Sequence, residues 1–135
     1  MTTRLQLGMR TGVLTVGAAL LLTTIATTAA AAAGDDDVVR RGSCTGATDW
    51  KVKAGDEDGR IEVEAEVDSN RRNQTWRWRI VHNGSVSARG TATTRPPSGS
   101  FEVRRVVVDL AGTDVIRFRA RNPRSGELCR GTVHF

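Results

Sequence analysis

The stretch Arg60-Ile61-Glu62-Val63-Glu64-Ala65-Glu66-Val67-Asp68 decides the fold. Ile61, Val63, Ala65 and Val67 alternate with Glu62, Glu64 and Glu66, a two-residue period that a strand converts into one apolar and one charged face. A helix would scatter the same side chains around its axis. The segment is therefore a half-buried strand of an antiparallel sheet, with one face on a core and the other in water.

The same period recurs on both sides. Upstream, Trp50 and Val52 alternate with Lys51 and Lys53, and the turn-rich Gly55-Asp56-Glu57-Asp58-Gly59 follows. Downstream, Trp76, Trp78 and Ile80 form the apolar face of a third strand that ends at Asn83-Gly84, the favoured pair for a two-residue hairpin turn. Val86 and Ala88 begin a weaker fourth strand. The loop Thr93-Thr94-Arg95-Pro96-Pro97-Ser98-Gly99-Ser100 cannot enter a sheet interior, because adjacent prolines donate no hydrogen bonds. Phe101 and Val103 open a fifth strand, and the phase change to Val106, Val108 and Leu110 predicts a bulge near Arg104-Arg105. Ile116, Phe118 and Ala120 alternate with Arg117, Arg119 and Arg121, and Cys129, Val133 and Phe135 complete a seventh strand after the Asn122-Pro123-Arg124-Ser125-Gly126 turn. About seven short strands without helical spacing predict an all-β fold, an immunoglobulin-like sandwich of two antiparallel sheets.

The N-terminal part reads differently. Arg4 and Arg10 precede the uncharged stretch 11–25 and the alanine run 29–33, the layout of a secretory signal peptide over residues 1–33. The apolar stretch is shorter than the roughly 20 residues that span a bilayer, and Asp35, Asp36 and Asp37 follow at once, so no membrane span is expected after signal removal. Residues 34–43 read as a flexible leader and 44–135 as one domain, in a secreted, extracellular protein. Without Arg4 and Arg10, the 20 basic residues of the whole chain exceed its 15 acidic ones only modestly. Lysine is nearly absent, so the positive charge is planar, fork-like guanidinium suited to carboxylate or phosphate. Cys44 and Cys129, the two cysteines of an exported chain, are expected to form a disulfide joining the domain's two ends.

The segments Cys44-Thr45-Gly46, Gly59-Arg60-Ile61-Glu62-Val63, Arg95-Pro96-Pro97-Ser98-Gly99-Ser100-Phe101 and Asn122-Pro123-Arg124-Ser125-Gly126-Glu127-Leu128-Cys129-Arg130-Gly131 look like those of a group of small, uncharacterised exported proteins of actinobacteria. The resemblance covers nearly all of the mature chain and implies a secreted β domain. In size, export and sandwich fold the chain is also similar, more weakly, to the neocarzinostatin-like apoproteins, which hold an aromatic chromophore in a cleft.

Alternation also locates the candidate site. If the third, sixth and seventh strands are sheet neighbours, Arg77 and Arg79 lie beside Arg117, Arg119 and Arg121, with Arg130 and His134 on the next strand, while Glu62, Glu64 and Glu66 belong to the other sheet. Clustered like charges call for counterions or a polyanion, so a cell-wall or extracellular anionic polymer, or another protein, is the expected partner. Nucleic acid is disfavoured, because Trp76, Trp78 and Phe118 share the inward phase and leave no stacking platform; Trp50 alone, near an edge, is expected to show its ring. No catalytic constellation, cofactor motif or metal-ligand spacing is present: Asp56-Glu57-Asp58-Gly59 lacks the ligand pattern of a calcium loop, and His82 and His134 stand far apart. The expected function is a non-catalytic extracellular binding module. The alternative is a secreted protease inhibitor acting through the loop 93–100.

Overall fold

The structure, a computed structural model, describes residues 36–135; the segment read as an export signal lies outside them. Every regular element among the described residues is a strand: β1 (Val38–Ser43), β2 (Asp49–Asp56), β3 (Arg60–Asp68), β4 (Thr75–His82), β5 (Ser85–Thr93), β6 (Ser100–Val108), β7 (Val115–Arg121) and β8 (Leu128–His134). They form two four-stranded antiparallel sheets, ordered β1-β2-β3-β6 and β5-β4-β7-β8. Without β1, these orders match the A-B-E and C′-C-F-G arrangement of immunoglobulin-like sandwiches. No helix of the described residues is long and apolar enough to cross a membrane.

The core follows the two-residue period. Ile61, Val63, Ala65 and Val67 of β3 are fully buried and face Trp76, Trp78 and Ile80 of β4 and Ile116, Phe118 and Ala120 of β7. Both sharp hairpins have positive φ at their two central residues, Asp58 and Gly59 after β2, Asn83 and Gly84 after β4. This left-handed pair is the twist-matched turn that Asp-Gly and Asn-Gly adopt most readily.

Two expectations are corrected. Residues 38–43, read as part of a flexible leader, form β1, paired with β2 from Val38↔Ala54 to Ser43↔Asp49. The short connection 44–48 brings the strand back onto its neighbour, Val38 packs against the core, and Asp37 pairs with Lys53 at 2.8 Å. The bulge expected at Arg104-Arg105 is also absent: β6 pairs with β3 without a break from Ser100 to Val108. Phe101, Val103 and Val107 keep the inward phase, Val106 and Val108 are exposed, and Arg105 takes the inward position between them. It lies at the open side of the sandwich, its guanidinium carbon 5.1 Å from the centre of the Trp78 ring, so an aromatic face accommodates a cation that the core would reject. The register shift occurs instead in the β4–β5 pair, between Ile80 and Val81.

Cys44 and Cys129 are bonded, closing a separation of 85 residues. The same seam carries hydrogen bonds from Thr45 N to Leu128 O (2.9 Å), Leu128 N to Thr45 Oγ1 (2.9 Å) and Thr48 N to Glu127 Oε1 (2.9 Å). Beside it the half-buried Trp50 ring lies over two glycines. A Cβ on Gly131 would stand 2.5 Å from Trp50 Cζ3 and 2.9 Å from Val52 Cγ2. Gly131→Ala is therefore expected to destabilise the domain by about 1–3 kcal/mol through overpacking. Urea unfolding measures this, and an unchanged midpoint would show that the ring moves aside freely.

Candidate functional site

The second sheet carries the arginines. Pairing Arg77↔Arg121 and Arg79↔Arg119 joins β4 to β7, and Arg119↔Arg130 joins β7 to β8, so the six arginines singled out by alternation share one outward face. Arg89 of β5, opposite Arg79, adds a seventh. Sequence reading missed it because β5 is weakly patterned; the signal is its run of small inward residues, Ala88, Gly90 and Ala92, which fixes Arg89 in the outward phase.

Register arranges the face in rows. Arg89, Arg79, Arg119 and Arg130 form one row across all four strands, and Thr91, Arg77, Arg121 and Leu128 form the next. Arg117 stands in a third row between Val81 and Thr132. No outward position in these rows holds a carboxylate. Among the described residues none of the seven arginines enters a salt bridge. All are exposed except Arg119, which is half-buried at the centre. Arg77, Arg79, Arg89, Arg119 and Arg121 rim a shallow depression of ≈ 510 Å³ over β4, β5 and β7.

The other sheet is the internal comparison. Glu62, Glu64 and Glu66 lie on its outer face, but each has a cross-strand partner: Lys51 meets Glu66 at 2.5 Å, and Arg104 meets Glu64 at 2.7 Å and Glu62 at 3.8 Å. Glu64 first, then Glu62, makes the Arg104 guanidinium more basic than usual. Opposite charges directly across a strand pair are the ordinary way a sheet surface is neutralised. The acidic face is thus compensated within the fold, and the arginine face is not.

The remaining candidates fall elsewhere. Trp50 lines a depression on the first sheet with Arg41 and Glu66, away from the arginine rows. His134 flanks the arginine face opposite Val115. His82 is buried against Asp114, an arrangement sequence reading did not anticipate. Asp114 also accepts from Asn83 Nδ2 (2.8 Å) and Leu110 N (3.0 Å). Burial works against its charge, yet the hydrogen bond from His82, aided by Leu110 and Asn83, holds its pKa below the ordinary carboxylate value. With Asn83 Oδ1 accepting from Val115 N, this cluster closes one end of the sandwich. The loop 93–100 is a tight turn rather than an extended segment. Arg95 pairs with Ser100, Gly99 N donates to Arg95 O, and Thr94 and Gly99 are buried.

Fold and site together define a two-sheet antiparallel sandwich with one uncompensated arginine face. Compared with protein-family models, curated proteins and solved structures, the chain matches none.

Proposed function

We propose that the protein is a non-catalytic extracellular binding module that takes an anionic polymer, of the cell wall or of its surroundings, on the arginine face of the β5-β4-β7-β8 sheet. The supporting observation is the contrast between faces. Seven outward arginines lie in register with no carboxylate among them, while the glutamates of the opposite sheet are paired within the fold. Like charges held on neighbouring strands repel, and a polyanion relieves that repulsion while releasing its own counterions. The planar guanidinium adds bidentate contacts to phosphate or carboxylate. Aromatic rings face inward beneath the arginines, so the reading needs no base or sugar stacking.

The oxidised protein is expected to bind polyphosphate at low salt and to lose that binding as salt rises. Replacing Arg77, Arg79, Arg117 and Arg119 together by glutamine should weaken it at least about tenfold, since the loss of even one charge-assisted contact to the polymer costs about 1.5 kcal/mol or more. Fluorescence polarisation at two salt concentrations reads both effects. A parent protein that binds no polyanion at low salt would sink the proposal and leave the arginines a solubilising role.

A further inference from the structure

The geometry points to a direction and a chemistry for the bound polymer: a linear phosphodiester chain lying across the strands, along the row Arg89-Arg79-Arg119-Arg130. This inference rests on the polyanion reading above and refines it. The row is continuous by register, because Arg79 pairs with Arg89 on one side and Arg119 on the other, and Arg119 pairs with Arg130. It contains one arginine from every strand of the sheet and ends on β5 and β8, the two edge strands. A chain laid along it crosses the whole sheet from one end strand to the other. Along the strands the supply is poorer, with three arginines on β7 and two on β4.

Spacing and chemistry select the occupant. Neighbouring strands stand about 4.8 Å apart, so the row spans about 14 Å at the backbone, and the sheet's twist spreads the side-chain tips somewhat wider. A phosphodiester chain with six bonds between phosphates extends to about 7 Å per unit by ordinary bond geometry, so three to four phosphates cover the row. The guanidinium fork takes the paired oxygens of phosphate and carboxylate alike, and of the two kinds of polymer the polyol phosphate needs no acceptor for sugar-ring hydroxyls. The one aromatic ring lining the depression, Trp78, lies beneath Gly90 and is only 6% exposed, and the rows hold no carboxylate to accept sugar hydroxyls, so the face reads the backbone charge. We therefore assign a base-free polyol phosphate polymer.

The test uses the oxidised protein and fluorescent glycerol-phosphate oligomers of two to eight units. Affinity should climb steeply up to three or four phosphates and only slowly beyond, with a log–log salt slope of about −3 from four contacts at about 0.7 each. Two double variants remove equal charge from the same two strands: Arg79→Gln with Arg119→Gln breaks the row, and Arg77→Gln with Arg117→Gln leaves it whole. The first should weaken binding more than tenfold and flatten the slope by about 1.4, the second less than threefold. Because Arg119 is half-buried, Arg89→Gln with Arg130→Gln provides a second row variant at exposed positions, expected to flatten the slope equally. Equal losses in row and off-row variants would overturn the track while leaving the polyanion reading intact. Absent parent binding would remove both. Oligothymidylate of matched phosphate number binding tenfold more tightly than the glycerol polymer would overturn the assigned chemistry in favour of single-stranded nucleic acid.

Discussion

Replacing Cys44 by serine and Cys129 by alanine is expected to lower stability by up to about 4–5 kcal/mol, the loop-closure value for a separation of 85 residues. Alanine is the choice at Cys129 because that position is fully buried, and a hydroxyl there would add an unrelated desolvation cost. Domains of this size are stable by only about 5–15 kcal/mol, so the loss is a large share of the total and should lower the melting temperature by more than about 15 °C. The native contacts around the bond moderate the effect without replacing it. Thr45 and Thr48 still hydrogen-bond Leu128 and Glu127, and so hold the connection after β1 to the start of β8 once the chain has folded. Those bonds act only in the folded state, whereas the disulfide restricts the unfolded chain. Calorimetry of the oxidised parent, the reduced parent and the double variant separates the two contributions. A shift below about 1 kcal/mol in the variant would assign the stability of this seam to its hydrogen bonds.

How much of this could be read from the residues depends on whether the cause was local. The inward phase of β3, the Asn83-Gly84 turn and the common face of Arg77, Arg79, Arg117, Arg119, Arg121 and Arg130 all follow from a two-residue period and the usual order of sandwich strands, and the structure places them so. Residues 38–43 escaped because the segment is short, carries Arg40 and Arg41, and becomes a strand only through its pairing with β2. On β6, Val106 and Val108 look like core residues, yet they sit near the end of a strand at the edge of its sheet, where the outer face is exposed. Arg105 takes the inward place that an apolar residue would be expected to hold, because Trp78 provides a ring for its charge. Neither outcome is visible without knowing which strand lies across the sandwich. The pairing of the glutamates has the same character. Glu64 and Arg104 are neighbours only once β3 and β6 are joined, so the compensation that distinguishes the two faces is a property of the assembled sheets.

Asp114→Ala is expected to destabilise the domain by about 3–5 kcal/mol at neutral pH, the range for removing one member of a buried, hydrogen-bonded pair. Asp114 is 1% exposed and serves three donors, from His82, Asn83 and Leu110. Alanine would leave each of these without its acceptor at the end of the sandwich, where backbone hydrogen bonds also join Asp114 and Phe135. The sign of the pH dependence follows from the lowered pKa of Asp114. A carboxyl that is more acidic folded than unfolded contributes stability fully above its unfolded value of about 3.9, and this is lost as pH falls through the lower folded value. The gap between parent and variant should therefore be widest near neutrality and narrow below about pH 4, as protonation gives the parent the same lost charge. Asp114→Asn, which keeps the shape and one acceptor oxygen, should lose less than the alanine variant and show the same narrowing. Urea titrations across the acid range measure both gaps. If they stayed constant down to about pH 2, the role of Asp114 would be that of a neutral acceptor and packing group, and the charge held against burial by His82, Leu110 and Asn83 would contribute nothing to folding.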